Sequence, residues 1–266
     1  MGDTLKIVVL VKHVPDAQFD RHIGAERTLD RSESILSELD EYPLEAALKL
    51  SEARGGEKAG NQVIALTMGG PDAANALKKA LQIGASSGVH LSDEALAGSD
   101  AWATALALSA AIRHLGDVDL VLTGMASTDG ETSLVPAQIA ERLDLPQLTF
   151  ASSLEVDGRT ARIERDGEGF SETVEAPLPA VVSVTDQINE PRYPNFKGIL
   201  AAKKKKIATL TLAEVGLDAG RVGSAGSLTA VESAEPRPAR TAGTIITDEG
   251  DAGVKLVDFL AAQKLI

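Results

Sequence analysis

Three short segments carry the small and polar side chains that could do chemistry, and each directly follows an apolar run. They read KHVPD at 12–16, MGGP at 68–71 and GMASTDGETS at 124–133. If the apolar runs are parallel strands, these segments lie beyond the strands' carboxyl ends, where open α/β sheets bind ligands. The third segment is the best candidate, because Pro136 predicts a helix start after it, and free N–H groups at a helix start suit a phosphate. The alternative is an ordinary loop whose hydroxyl groups only cap the helix.

The composition excludes several kinds of chemistry. Cys is absent, which removes thiolate nucleophiles, disulfides and Cys-ligated metal clusters. His occurs at 13, 22, 90 and 114, and no two of these positions are spaced i, i+4. The phosphate fingerprints GxGxxG and GxxxxGK[ST] are also absent. We therefore predict no metal site and no catalytic residue.

The charge and the hydropathy pattern limit the partners and the location. The chain has 26 Lys and Arg against 39 Asp and Glu, a formal net charge of −13. Nucleic acids bind clustered basic residues, so we expect no nucleic-acid partner. No apolar run is long enough to span a bilayer, and the N-terminus opens on a strand pattern instead of a basic and apolar leader. We therefore expect a cytoplasmic protein.

The elements that must position the three segments alternate in type. Nearly continuous apolar runs at 5–11, 62–67, 118–123 and 180–184 predict parallel strands that are buried on both faces. Amphipathic helices are predicted at 44–54, 71–83, 99–115 and 134–143. On the third of these, Trp102 is expected to be a core residue. This alternation predicts an α/β fold with a mostly parallel sheet and flanking helices.

The alternation of predicted strands and helices ends after Pro146. Alternating residues around a turn at Asp157-Gly158 predict an antiparallel hairpin excursion over about 148–176. From 189 onward no comparable core is visible, and the four lysines at 203–206 form a local basic run in an acidic chain. The last amphipathic helix, from 251 to 260 or beyond, cannot bury its own apolar face. We therefore divide the chain into a domain at 1–217 and an extended C-terminal arm at 218–266.

Several motifs resemble those of the β subunit of electron transfer flavoproteins. The most specific is VTDQINEPRY at 184–193, followed by AKKKK at 202–206. Similar stretches are IVVLVKHVPD at 7–16, LDEYPLE at 39–45 and DLVLTG at 119–124. The resemblance runs in register from about 6 to 217.

This resemblance implies a doubly wound, adenine-nucleotide-binding α/β domain and an electron carrier without catalysis of its own. Such a β subunit forms an obligate heterodimer with an α subunit that holds most of the FAD. The β subunit binds AMP structurally and helps to enclose the flavin, which does the redox chemistry. The pair carries electrons from flavin dehydrogenases, such as the acyl-CoA dehydrogenases of fatty acid β-oxidation, to a membrane quinone oxidoreductase. The C-terminal arm would pack on the α subunit.

The resemblance also assigns residues to an AMP site at the ends of the strands and in the loops beside them. These residues are Leu10, Ser37, Glu38, Leu39, Asp40, Met68, Gly124, Ala126, Ser127, Thr128, Asp129, Gly130, Glu131, Thr132, Ser133, Leu134 and Val135. Family members often have an amide or Thr followed by Gly where this chain has Leu134, Val135 and Pro136. Because Pro136 has no N–H, backbone groups of the loop, with Thr132, Ser133 and Asp129, must hold the phosphate.

A recognition loop at about 191–200 is the second assignment from the resemblance. It comprises Arg192, Tyr193, Pro194, Asn195, Phe196, Lys197, Gly198, Ile199 and Leu200. Phe196 stands at the position of the exposed hydrophobic anchor that inserts into an acyl-CoA dehydrogenase, where relatives often have Leu. Ala17 stands where some relatives place a Tyr near the flavin, so we expect no aromatic contact from that position.

Two other functions remain open from the sequence. A bifurcating-type flavoprotein subunit would hold a second FAD in place of AMP. A stand-alone adenine-nucleotide sensor could use a similar fold, although no P-loop supports it.

Overall fold

The computed structural model describes residues 4–24, 27–235, 238–240 and 242–266. Its strands are β1 Lys6–Leu10, β2 His13–Pro15, β3 Ser34–Leu36, β4 Gln62–Met68, β5 Ser87–Leu91, β6 Leu120–Gly124, β7 Gln147–Ala151, β8 Ser153–Asp157, β9 Thr160–Gly167, β10 Phe170–Pro177, β11 Ala180–Val184 and β12 Ile207–Leu210. Its helices are α1 Glu38–Ala53, α2 Ala74–Ile83, α3 Ala101–Leu115, α4 Val135–Leu143, α5 Phe196–Ala202, α6 Gly223–Gly226 and α7 Ala252–Ala262. Short 3-10 turns lie at Glu57–Ala59, Pro71–Ala73, Glu94–Leu96 and Ala219–Arg221.

A parallel sheet with the strand order β12-β5-β4-β1-β6-β11-β7 forms the centre of the fold. From β1 the chain winds outward through β4 and β5, then crosses to β6 on the other side of β1. The strand order therefore reverses between β1 and β6, which is where doubly wound sheets bind ligands. The predicted α/β class with a mostly parallel sheet and flanking helices is confirmed.

The core lies on both faces of this sheet. Because side chains alternate along a strand, Ile7 and Val9 of β1 face α1 and α2, whereas Val8 and Leu10 face α3 and α4. The buried set consists mainly of Ala, Val, Leu and Ile, as the 3% aromatic content predicts. Burying one such Val, Leu or Ile side chain contributes about 1.5–3 kcal/mol.

The excursion after Pro146 differs in detail from the predicted hairpin. β7 opens the excursion as the edge strand of the main sheet, where it pairs in parallel with β11. Only β8, β9 and β10 form a separate antiparallel sheet, in the order β10-β9-β8. The sequence could not separate these roles, because a Ser at 152 is the only residue between two consecutive strands.

The expectation of no core beyond 189 is wrong. β12 extends the main sheet beside β5, and Leu210, Leu212 and Val222 are buried against the α3 face. This region escaped prediction because its strand has only the four residues IATL directly after the lysines. Tertiary contacts supply the burial that the local pattern does not indicate.

The expectation that Trp102 is a core residue is also wrong. Its side chain lies at the first turn of α3 and is 44% exposed. The guanidinium of Arg142, from α4, stacks on it with 4.0 Å between the Arg142 Cζ and the ring centroid. A cation–π contact therefore takes the place of core packing.

The chain forms two compact units, Met1–Ser233 and Ala234–Ile266. Residues 218–233 thus belong to the first unit. In the second unit, α7 exposes several apolar side chains, among them Val254, Leu256, Val257 and Phe259. Among the residues that the structure describes, no helix combines the length and the apolar character needed to cross a membrane.

Candidate functional site

A pocket opens at the strand-order reversal between β1 and β6. Leu10 ends β1, Met68 ends β4 and Gly124 ends β6, and all three line the pocket. Other walls come from α3, the 124–133 loop and the start of α4. The full lining set is Leu10, Val11, Lys12, Asp40, Leu66, Met68, Leu108, Thr123, Gly124, Ala126, Ser127, Thr132, Val135 and Pro136.

Gly124 allows α1 to approach the end of β6 closely. A Cβ on Gly124 would stand 2.7 Å from the carbonyl oxygen of Leu39 and 3.0 Å from Oδ1 of Asp40.

Pro43 lies inside α1 and has no N–H to donate to the Leu39 carbonyl four residues earlier. The prediction that this helix begins at Leu44 is therefore wrong, since α1 begins at Glu38 and includes the proline.

Asp40 places a buried carboxylate in the wall of the pocket. Its Oδ2 accepts a hydrogen bond of 2.7 Å from the backbone N–H of Lys12. Burial raises the pKa of Asp40 to about 7, although the Lys12 amide and charge and the Gly124 amide act in the opposite direction. The pocket thus contains a carboxyl group that titrates near neutral pH.

Two cations and one carboxylate form a cluster at the same wall. Lys12 Nζ lies 2.8 Å from Asp129 Oδ1, and Arg31 Nη2 lies 2.5 Å from Asp129 Oδ2. The Asp129 side chain is only 3% exposed, whereas those of Lys12 and Arg31 are 41% and 44% exposed. Burial opposes ionisation of Asp129, but the charge and hydrogen bonds of Lys12 and Arg31 hold its pKa far below the usual range. The sequence placed Lys12 in a candidate segment but predicted neither its pairing with Asp129 nor the role of Arg31, because 117 and 98 residues separate these two cations from Asp129.

The loop between β6 and α4 has an irregular backbone with free donors. Glu131 and Ser133 adopt left-handed conformations, with φ of 51° and 54°. Within the part of the chain that the structure describes, the amides of Thr132, Ser133 and Leu134 donate no hydrogen bond to protein. Alternating backbone conformations of this kind form concavities that bind anions.

The structure brings many of the expected AMP-site residues to this pocket. Those in its lining are Leu10, Asp40, Met68, Gly124, Ala126, Ser127, Thr132 and Val135. The others lie in the flanking α1 start and loop without lining it: Ser37, Glu38, Leu39, Thr128, Asp129, Gly130, Glu131, Ser133 and Leu134. Of these, Ser37 is fully buried, and its hydroxyl has no hydrogen-bond partner among the residues that the structure describes.

Arg192, in the expected recognition loop, points inward to α1. Its guanidinium Nε lies 2.6 Å from Glu45 Oε2, and its Nη1 lies 2.5 Å from Glu52 Oε1. The Glu45 side chain is only 4% exposed. The hydrogen bonds that Arg192 donates to Glu52 and Glu45 raise the pKa of Arg192 above its ordinary value. Arg192 therefore anchors the segment to the domain.

The rest of the expected loop is partly helical, because α5 begins at Phe196. Asn195 caps this helix by accepting a 2.8 Å hydrogen bond from the Gly198 N–H. A Cβ on Gly198 would stand 2.5 Å from the carbonyl oxygen of Gln82, so only glycine fits against the end of α2. Lys205 donates to the carbonyls of Gly84 and Ala85 at 3.1 and 2.6 Å. One lysine of the basic run is thus a structural donor.

The anchored segment presents apolar side chains to solvent. Tyr193 is 90% exposed and Phe196 is 75% exposed. Ile199 and Leu200 are also exposed, whereas Pro194 is partly buried and Lys197 is a charged neighbour. A fixed backbone with exposed aromatic side chains is typical of a protein-binding surface.

Comparison with known proteins identifies the family. A family model described as "Electron transfer flavoprotein domain" matches residues 28–215. The chain is 45% identical over 263 residues to an electron transfer flavoprotein subunit beta of Mycobacterium leprae (strain TN), covering 98% of this chain and 99% of the relative. It is 36% identical over 266 residues to a protein of the same name from Thermoanaerobacterium thermosaccharolyticum, covering 98% and 100%.

A further relative comes from Acetobacterium woodii and is named caffeyl-CoA reductase-Etf complex subunit CarD. It is 35% identical over 245 residues, covering 91% of this chain and 92% of the relative. The relatives match nearly the whole chain. The family model covers the anchored segment and the pocket lining from Asp40 to Pro136, but not Leu10, Val11 and Lys12. The chain therefore belongs to the electron transfer flavoprotein family, as an electron-transfer protein of its β-subunit type.

Proposed function

We propose that this chain pairs with an α subunit that holds most of the FAD, and that its own pocket binds AMP. The observation that carries the AMP proposal is the pocket at the strand-order reversal, which has apolar walls and unpaired amides at one end. Leu10, Leu66 and Met68 offer an apolar surface for adenine. The amides of Thr132 and Ser133, with Lys12 Nζ, are donors that suit a phosphate.

The flavin supplies the redox chemistry in this proposal, and the chain has no catalysis of its own. The chain encloses the flavin from one side, carries the AMP pocket and provides a docking segment. Electrons pass from flavin dehydrogenases, including acyl-CoA dehydrogenases, to a membrane quinone oxidoreductase. The proposed location of this exchange is the cytoplasm.

A second candidate holds FAD instead of AMP in the same pocket. Similarity to a subunit of a caffeyl-CoA reductase-Etf complex keeps this bifurcating-type function open. The bulky Leu134 and Val135 beside the loop do not discriminate between the two nucleotides.

Nucleotide content of the purified heterodimer tests these candidates. The chain is co-expressed with its α subunit, the complex is denatured, and the released nucleotides are quantified by chromatography. Equal amounts of FAD and AMP support the AMP proposal, and FAD alone at twice the complex concentration supports the second candidate. A stable monomer that hydrolyses ATP would overturn both and support the stand-alone sensor.

The second part of the proposal is that the segment at 191–200 docks the dehydrogenase through Phe196. Its exposed ring stands on a segment fixed at Arg192 and Gly198, so little conformational entropy is lost on binding. Phe196→Ala should slow flavin reduction by an acyl-CoA dehydrogenase while FAD and AMP content stay unchanged. Phe170→Ala is the matched control, since Phe170 is 57% exposed in the antiparallel sheet. Equal rates for Phe196→Ala and the parent would contradict the anchor assignment.

The third part concerns the C-terminal arm, 218–266. We propose that the apolar side chains of α7 pack on the α subunit, because their exposure is unfavourable in water. Amide hydrogen exchange in α7 should slow when the α subunit is added. Unchanged exchange in the complex would contradict this contact.

A further inference from the structure

An exposed tryptophan and a group of arginines lie together on α3, α4 and the 3-10 turn Ala219–Arg221. We call the set Trp102, Arg113, Arg142 and Arg221 the Trp–Arg surface. Arg142 stacks on the indole of Trp102 and donates to its carbonyl at 3.4 Å. Arg113 in turn donates to the carbonyl of Arg142. Trp102, Arg113 and Arg221 are all exposed.

The positive charges of this surface have no counter-ion. In the described ranges, no carboxylate forms an ion pair with Arg113, Arg142 or Arg221. Burial lowers the pKa of Arg142, and the charges of Arg221 and Arg113 lower it further. This mutual repulsion is notable in a chain of net charge −13, where acidic side chains outnumber basic ones. A bound carboxylate would relieve it.

The residue types are those that dominate binding at protein interfaces. Trp and Arg are enriched among the residues that contribute most to binding energy. The stacked guanidinium of Arg142 is already ordered, and its Nε is buried without an acceptor, so packing on Trp102 holds it. A preordered cation loses little entropy when an anion binds.

The segment just before the second unit is hydrogen-bonded to the start of α3, close in sequence to Trp102. Asp100, two residues before Trp102, accepts hydrogen bonds from the backbone N–H groups of Leu228 and Thr229 at 2.8 and 3.0 Å. The second unit begins five residues later, at Ala234. The chain that leads to the second unit therefore leaves the first unit beside the start of α3, the helix that carries Trp102.

We propose that the Trp–Arg surface binds an acidic segment of the α subunit. The inference rests on the proposed function, because it takes the heterodimer as the native assembly. The guanidinium groups pair with Asp and Glu side chains of that segment, and the open face of Trp102 packs on its apolar atoms.

Charge reversal tests the inference on the full-length chain and its purified α subunit. Arg221→Glu removes an exposed cation whose side chain makes no hydrogen bond within the described part of the chain, so the variant should fold. Isothermal titration calorimetry at low salt should give a Kd raised about tenfold or more, with a smaller difference at high salt because ions screen the charges. Lys58→Glu is the matched control, since Lys58 is exposed on a different turn and should leave the Kd unchanged.

A second variant reports on the apolar part of the surface. Trp102→Ala should weaken association at low and at high salt alike, because apolar packing is not screened. A parental Kd for Arg221→Glu, or an equal loss for Lys58→Glu, would overturn the inference and leave the heterodimer intact. Failure of the parent chain to bind the α subunit at all would instead overturn the heterodimer and the inference with it.

Discussion

The buried carboxyl group of Asp40 should make the stability of the chain fall as the pH rises through neutrality. Burial raises the pKa of Asp40 from 3.8 to about 7 in the folded chain, whereas in the unfolded chain the group is in water. Between pH 3.8 and about 7, Asp40 is therefore protonated in the folded chain and ionised in the unfolded chain. The free energy of unfolding is highest below the pKa that Asp40 has in the unfolded chain, and it decreases as the pH rises from there through the pKa of the folded chain.

The size of this effect follows from the two pKa values. Proton linkage gives a decrease of about 2.5 kcal/mol in the free energy of unfolding between pH 5 and pH 8 from Asp40 alone. Asp40→Asn keeps an acceptor for the Lys12 N–H and carries no charge at either pH. Its advantage in stability over the parent should therefore be about 2.5 kcal/mol larger at pH 8 than at pH 5.

Urea unfolding followed by circular dichroism at both pH values measures the difference. Subtracting the variant from the parent cancels every other titrating group. Glu38→Gln is the control, because Glu38 lies in the same turn of α1 but is exposed. If the difference between parent and Asp40→Asn is the same at pH 5 and at pH 8, then Asp40 does not titrate as its burial requires.

Two further substitutions test the contacts that shape the site. Arg192→Ala removes the cation that lies 2.6 Å from the buried Glu45 and leaves it the more distant Lys49, whose Nζ is 3.8 Å from Glu45 Oε1. The variant should lower the free energy of unfolding by about 3 kcal/mol in urea titrations; a loss below that of an ordinary surface variant would mean that Arg192 does not anchor the segment. Gly124→Ala places a Cβ 2.7 Å from the Leu39 carbonyl and should cost about 1–3 kcal/mol while weakening AMP binding in calorimetry of the heterodimer. Gly70→Ala is its control, because a Cβ there meets no atom within 4 Å, and equal effects of the two variants would contradict the close approach of α1.

Local features of the sequence predicted much of the fold. The buried runs of β1, β4, β6 and β11 are readable because each is a short continuous stretch of apolar residues. The helices α1, α2 and α3 end at or just before glycines, as capping chemistry predicts, whereas α4 ends at Asp144 in a left-handed conformation. Two strands were missed because neither is a continuous apolar run: β5 contains Gly88 and His90, and β12 has only the four residues IATL.

The candidate site was only partly accessible from the sequence. The 124–133 loop was found from its small and polar residues after a strand, which is a local signal. The roles of Lys12, Arg31 and Arg192 were not, because each depends on a carboxylate more than 90 residues away along the chain. The burial of Trp102 was predicted wrongly, because the exposure of a side chain depends on which residues surround it in the folded chain.

The sequence by itself determined the α/β class, the position of the 124–133 loop after a buried strand and the family, since hydrophobic period, capping and motifs are encoded within short windows. Only the tertiary structure decided that Asp40 is buried, that Asp129 holds two cations and that the Arg192 guanidinium turns toward α1. These outcomes depend on which distant segments the folded sheet and its helices bring together. Burial and pairing follow from that packing, and they determine the charge state of each group.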